Sequence, residues 1–424
     1  MLRIVRSQEG GEVDRLFAAR RKQESEAARV ARRILDEVRR DGDAALVRLA
    51  RTLDRTDLRR EGFTVSAAEI RAARAKAPAR FVAAVRRAAR NIRRTAERQL
   101  PAAWMSAPGA GIKVGQVIRP LERVACYVPG GRFPLPSTVL MGVIPAQVAG
   151  VKEIVITSPH PAPAILAAAD ELGVQTVFRL GGAQAIAAFA YGTESVPRAD
   201  KIVGPGNRYV AAAKRQIAGE CGIDFVAGPT ELVVVGDKGR PAWIAADLVA
   251  QAEHDPDASA VLITSSMKLA LAVQRSAQNI LARLSLPVAE TSLAAHGAII
   301  LVRTLNDGIE LANRFAPEHL TLLDDAASRT SEVRSAGAIF LGGYSAVAAG
   351  DYASGGNHIL PTAGAARQRG GLTAADFVKS ISVQRLSRAG LSSLRKTIVT
   401  LADAEGLKAH AHSVEARFEH DPRP

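Results

Sequence analysis

Residues 123–157 read RVACYVPGGRFPLPSTVLMGVIPAQVAGVKEIVIT, and this stretch decides the fold. Arg123–Val128 is a short apolar run of the kind that forms a buried strand. A turn marked by Pro129, Gly130 and Gly131 follows, and Ser137–Ala149 is long enough for a helix. Glu153–Thr157 is a second strand. The uncharged run from Phe133 to Val151 has the length of a membrane span. It carries Pro134, Pro136, Pro145 and Gln147, however, and reads as a loop leading into a buried helix.

The same alternation continues outward from this unit. Pro163–Leu172 reads as a helix and Thr176–Leu180 as a strand, followed by Gly181-Gly182 and a helix from Ala183. Lys201–Val203 is a strand that runs into Gly204-Pro-Gly206-Asn207 and then a helix to Ile217. After Gly228-Pro-Thr-Glu231 the pattern restarts. Leu232–Val235 and Ala260–Thr264 are strands flanking a Pro241–Ala252 helix, and Ala298–Val302, His319–Leu323 and Ala338–Leu341 extend the series. Strand–helix alternation at this period predicts parallel, doubly wound sheets. Two α/β units are expected, parting near residues 229–238, alike in pattern but without a sequence repeat.

Upstream, residues 12–57 carry apolar positions at helical spacing. Ser66-Ala-Ala-Glu69 is a capping box, and Pro78 separates it from a basic helix over Phe81–Leu100. This α-rich front changes character near Pro120. Thr373–Glu419 is expected to be helical, broken at Gly390 and Gly406, a tail suited to packing on a partner subunit.

Bulk composition narrows the class. The 424 residues are 47% apolar and 23% charged, those of a globular chain with room for more than one domain. Two cysteines, Cys126 and Cys221, cannot make a disulfide framework or a thiolate zinc site, and both sit in apolar surroundings as buried thiols. That usage and the charge-dense first thirty residues point to a cytoplasmic protein rather than a secreted or membrane one. The net charge of +14 is concentrated in residues 1–100, where 26 Lys/Arg face 14 Asp/Glu. The basic residues recur at helical spacing without aromatic interleaving, which marks solvated helix faces and not a nucleic-acid platform.

Chemistry-bearing residues cluster in four segments that pair an imidazole with an amide or a carboxylate. Gly350–Thr362, GDYASGGNHILPT, places Asp351 and His358 at the ends of a glycine-rich loop in which no regular helix or strand is expected. Gln251 and His254 share a helix face. With Asp351 and His410 they would make a nitrogen–oxygen donor set for a divalent metal. Glu318-His319, after Pro317 and before a strand, is the pair that proton abstraction from an alcohol requires. Each segment alone reads equally as a surface turn or a solvated helix end; four among only eight histidines suggest one assembled polar site. Gly204-Pro-Gly206-Asn207 resembles the start of a dinucleotide fingerprint, with Tyr209 at the last glycine position and Asp224 acidic by spacing alone. Together with Tyr127-Val-Pro-Gly-Gly131 and Gly181-Gly-Ala-Gln184 it would converge on one carboxyl edge.

Seven longer motifs, in order, resemble histidinol dehydrogenase: YVPGGRFPLPSTVLM, GGAQAIAAFAYGTESVPRADKIVGPGNRYVAAAKRQ, AGPTE, QAEHDPDA, APEHL, GDYASGGNHILPTAGAAR and AEGLKAHAHSV. The match runs from about residue 20 to the C-terminus. The resemblance implies NAD-dependent oxidation of L-histidinol to L-histidine through the aldehyde, at one zinc per subunit. It implies Gln251, His254, Asp351 and His410 as metal ligands that also meet substrate, the last from the other subunit of a homodimer. Glu318 and His319 become the acid/base pair. Tyr127, Gln184 and Asn207 fall at NAD positions, and Thr230, His358 and Glu405 at substrate positions, with Glu405 also crossing to the partner's site. Arg132 is a candidate for the cofactor diphosphate. The implied architecture is two Rossmann-like doubly wound α/β domains with small helical terminal segments forming the dimer. Residues 1–22 would be an N-terminal segment, 23–120 with 238–372 the domain holding metal and acid/base residues, 121–237 the NAD-side domain, and 373–424 the dimerisation segment. A related zinc and NAD enzyme acting on a different polar alcohol is the competing reading.

Overall fold

The structure, a computed structural model, describes residues 2–8, 10–19, 25–130 and 134–419. Among these residues the strands are, in chain order, β1 (Arg3–Arg6), β2 (Trp104–Gly109), β3 (Ile112–Pro120), β4 (Arg123–Tyr127), β5 (Glu153–Thr157), β6 (Val177–Phe178), β7 (Lys201–Val203), β8 (Gly222–Ile223), β9 (Glu231–Val235), β10 (Ser259–Thr264), β11 (Ala298–Leu301), β12 (His319–Leu322), β13 (Ala338–Leu341) and β14 (Val378–Leu386). The chain forms two compact units, residues 1–99 with 121–377 and residues 100–120 with 378–424.

The first unit holds two parallel sheets, ordered β6-β5-β4-β7-β8 and β1-β11-β10-β9-β12-β13. Helices cover both faces of such sheets, so the central strands are buried and mostly apolar: every residue of β9 (ELVVV) and β10 (SAVLIT) is buried. Leaving aside the edge strand β1, each sheet starts at a central strand, grows one way and then reverses to the other side. The reversals fall between β4 and β7 and between β9 and β12. The doubly wound α/β class is therefore as expected.

Strand β1 was not anticipated. Its four residues, RIVR, are too few for a pattern, yet they pair in parallel with β11 and close one edge of the six-stranded sheet. Leu2 is buried beside it, and Gln274 Nε2 donates to the Leu2 carbonyl at 2.7 Å.

Residues 25–98 were grouped by sequence with the six-stranded sheet, but they pack on the five-stranded one. Ile34, Leu35, Val38 and Leu46 share a core with Phe178, Ile186 and Phe189. On the opposite face Ile70, Val85 and Ile92 join Val139, Ile144 and Ile165. An amphipathic stripe shows that a helix covers something apolar; it does not say which sheet. The Ser66–Glu69 capping box does form and opens the Ala67–Lys76 helix.

The second unit is an antiparallel sheet, β14-β3-β2, with helices Arg388–Ala404 and Lys408–Glu419. Residues 378–386 are thus a strand where a helix was expected, paired with β3 along nine residues. Both faces of β14 are largely exposed, so burial imposes no alternation that a sequence could display. Trp104, Met105, Ile381, Leu401 and Leu407 are exposed apolar side chains of this unit. Among the described residues no helix is long and apolar enough to cross a membrane.

Candidate active site

Glu318 and His319 stand at the amino end of β12, beside the start of β9. Ala316, at φ 54°, ends the Leu305–Phe315 helix in a left-handed turn, and the chain re-enters the sheet through Pro317-Glu318-His319. Glu318 is buried. Its Oε2 accepts from the Glu231 amide at 2.8 Å and from the Thr230 hydroxyl. Thr230 Oγ1 in turn accepts from Gln251 Nε2 at 2.5 Å. Burial raises the Glu318 carboxyl above its ordinary pKa even against His319 and these donors.

The tautomer of His319 follows from its partner. Nδ1 lies 3.2 Å from the Glu231 carbonyl, which can only accept, so Nδ1 carries the proton and Nε2 keeps its lone pair. Nε2 is buried and makes no hydrogen bond; Asp351 Oδ1 stands 3.5 Å away. Burial disfavours the imidazolium, but the Glu318 and Asp351 carboxylates outweigh it and hold the pKa above the ordinary value. His319 and Asp351 line a cleft of about 490 Å3.

Asp351 does not sit in irregular loop, as its glycine-rich setting suggested. Val347–Tyr352 is a short helix, and Gly350 allows it to close on β13: a Cβ there would lie 2.7 Å from the Phe340 ring. Burial would push the Asp351 carboxyl up, yet the neighbouring His319 more than offsets this and leaves it below the usual range. His358 Nδ1 donates to the Asp351 carbonyl at 2.9 Å, and Nε2 accepts from the Thr138 hydroxyl at 3.2 Å. Both nitrogens are thus engaged by a neutral ring, in keeping with a pKa that burial pulls down. Thr138 and Met141, whose carbonyl accepts from Asn357, belong to the Pro136–Ala149 helix. These contacts draw the carboxyl edge of the five-stranded sheet against the amino edge of the other.

Gln251 ends the Pro241–Ala252 helix, and His254 follows it, exposed, close enough for its charge to act on Asp351 and His358. Gln251 is tied through Thr230 to Glu318, and His254 lies within electrostatic reach of Asp351. Because Gln251 spends its amide nitrogen on Thr230, its oxygen is the end left for a cation. Among the described residues no three His, Cys, Asp or Glu side chains converge as a metal cage. One amide oxygen, one imidazole and one ionised carboxylate nonetheless fit a thiolate-free divalent site that is short of a donor. Glu405 and His410 lie in the second unit, exposed at the junction of its two helices.

The three glycine turns do share the carboxyl edge of one sheet. Gly204, at φ 114°, leaves no room for a Cβ against the Tyr127 carbonyl. Asn207 is exposed and caps the Arg208–Ile217 helix, accepting from the Tyr209 and Val210 amides at 3.0 and 3.1 Å. Its position suits a phosphate at a helix N-terminus. Tyr127 and Gln184 are buried behind the turns and brace them: Tyr127 Oη accepts from the Gly182 amide at 3.2 Å, and Gln184 Nε2 donates to Asp54 Oδ2 at 2.9 Å. Arg132 lies outside the described residues. Asp224, a candidate by spacing, points inward instead: it accepts from the Gly204 amide at 2.7 Å and pairs with Lys214 at 2.7 Å, both side chains buried. Sequence reasoning missed Thr138, Asp54 and Lys214, and it missed the Glu231 carbonyl, a backbone group without a side-chain signal.

Comparison with known proteins identifies the family. The family model described as histidinol dehydrogenase matches residues 18–418. The histidinol dehydrogenase of Methanothermobacter thermautotrophicus is 45% identical over 394 residues, 91% of this chain and 92% of that protein. That of Halobacterium salinarum is 47% identical over 397 residues, covering 91% and 92%. A crystal structure of histidinol dehydrogenase from Elizabethkingia anophelis superposes with a TM-score of 0.90 at 35% identity, covering 94% of this chain and 93% of that one. With the family model spanning residues 18–418 and these relatives matched over more than nine-tenths of both chains, the chain belongs to the histidinol dehydrogenase family, oxidoreductases acting on histidinol.

Proposed function

We propose that this cluster takes L-histidinol to L-histidine with NAD as electron acceptor and one zinc ion per subunit, in a homodimer. The observation that carries the reading is His319: a buried imidazole locked in the tautomer that leaves Nε2 free, beside Asp351 and Glu318. Gln251, His254 and Asp351 would hold zinc together with His410 of the partner subunit. Thr230, His358 and Glu405 of the partner subunit would contact substrate. When bound, zinc supplies a template for the amine and imidazole of histidinol, and NAD supplies the hydride acceptor for each of two oxidations.

The rest falls to this chain's side chains. His319 Nε2 takes the hydroxyl proton as the carbinol C–H bond gives up its hydride. Glu318, protonated more readily than an ordinary carboxylic acid, shuttles the proton of the water that hydrates the aldehyde. Removal of a second hydride from the hydrate gives the carboxylate. Asn207 would meet the cofactor, while Tyr127 and Gln184 hold its glycine turns in shape. The free, buried thiols Cys126 and Cys221 suit a reducing cytoplasm.

Steady-state turnover with L-histidinol tests the reading. Two NADH should form for each histidinol consumed, and other polar alcohols should be poor substrates. One NADH per histidinol, or faster oxidation of another alcohol, would refute it. Glu318→Gln should slow hydration of the aldehyde about 10²-fold or more. In a single turnover the NADH yield should then fall from two towards one. An unchanged burst of two would remove Glu318 from that step.

A further inference from the structure

The six-stranded sheet has its own reversal of strand order, between β9 and β12, and the site described above uses the opposite edge. Thr230, Glu318 and His319 all stand at amino ends. In open α/β sheets a ligand binds in the crevice outside the carboxyl ends, where strand order reverses. Here that crevice is a cleft of about 260 Å3, walled by the turns after β9, β12 and β13 and by the start of the Pro241–Ala252 helix.

Its chemistry is specific. Trp243 and Tyr344 form an aromatic wall, with ring centroids 5.0 Å apart and planes tilted by 57°. Tyr344 is 89% exposed, so no core explains it. The Arg240 guanidinium covers one side of Trp243 at 4.4 Å from its centroid. Asp324 gives one oxygen to the Gly343 amide at 3.0 Å. Asp247 is half-buried in the lining and makes no hydrogen bond or ion pair among the described residues. Burial alone pushes its carboxyl up to about 6, the mark of a carboxylate lacking a counter-charge.

We propose that this cleft is a second binding site, for a small organic ammonium compound with a flat apolar body. The ammonium pairs with Asp247, and Asp324 adds a second negative charge. The body lies on Trp243 and Tyr344, where a ring beside a cation is well received. An anion is opposed: two carboxylates face one guanidinium, and Pro241 at the first helical position removes one of the amides that a helix N-terminus would offer. A bare divalent cation is opposed as well, because aromatic walls supply none of the six or more oxygens it needs. The site does not depend on zinc or NAD.

The test uses full-length protein carrying Trp104→Phe, so that fluorescence reports Trp243 alone. Benzylamine, benzyl alcohol and benzoate are the probes. Benzylamine should change the emission with a Kd of roughly 0.1–1 mM. The alcohol and the carboxylate should bind at least about tenfold more weakly. Asp247→Asn should weaken benzylamine about tenfold or more while turnover of histidinol persists. That variant should melt no lower than its parent at neutral pH. A carboxyl with a raised folded-state pKa favours the fold only below its ordinary 3.8 and loses that contribution as pH rises through about 6. Lost binding in Asp247→Asn could not then be put down to misfolding. An absent response, equal binding of benzyl alcohol, or benzylamine affinity unchanged by Asp247→Asn would each overturn the proposal.

Discussion

Asparagine at position 319 should lower the turnover of histidinol by about 10²–10⁴-fold, the usual worth of a positioned general base. The substitution suits the question because an asparagine amide can still donate to the Glu231 carbonyl, the contact that fixes the imidazole now. What it cannot supply is the lone pair of Nε2. The loss should fall on kcat with little change in KM, since the proton moves only as the reaction proceeds. Zinc content, measured on purified protein, should stay at the parent level because His319 is not among the proposed ligands. Turnover within about tenfold of the parent would mean that another group takes the proton.

Lys214→Met should be the most damaging substitution away from the reacting groups, at about 3–5 kcal/mol of stability. Both side chains of the Lys214–Asp224 pair are almost fully buried, at 3% and 1% exposed. Removing the ammonium strands a carboxylate inside the protein, whereas removing both charges does not. The double variant Lys214→Met, Asp224→Leu should therefore recover most of the loss in urea denaturation. It should not recover cofactor affinity. Lys214 Nζ donates to the Gly204 carbonyl at 2.5 Å and Asp224 accepts from the Gly204 amide at 2.7 Å, so the pair grips both polar groups of one peptide turn. NADH titrated by fluorescence should bind the double variant more weakly than the parent although the fold is restored. A single variant as stable as the parent would show that the pair does not support the fold, and a double variant with parent affinity that it does not shape the turn.

What the sequence displayed was what burial enforces. Apart from β1 and the two-residue β8, the strands of the two parallel sheets are mostly apolar and stood out as short runs at regular spacing. Strands β2 and β14 are largely exposed and β3 is mostly half-buried, all three mixed in polarity, so composition left them indistinct, and 378–386 passed for helix. In the site, Glu318, His319, Gln251 and Asp351 were legible because a carboxylate, an amide and imidazoles recur in short pairs. Thr138 was not, since a threonine near a helix start ordinarily signals a cap. Asp54 was hidden for another reason. It ends the Ala50–Asp54 turn, 130 residues from the Gln184 amide it holds, and only the packing of the front helices on the five-stranded sheet joins them.

The four-residue strand at the very front has a practical consequence. Trimming or unzipping Arg3–Arg6 would uncover the flank of β11, whose sequence AIIL is apolar and whose backbone groups would stand open to any passing strand. Proteolysis or a badly chosen N-terminal fusion there would invite sticking between molecules before it touched catalysis. Turbidity on storage would rise while freshly isolated material still turned over substrate.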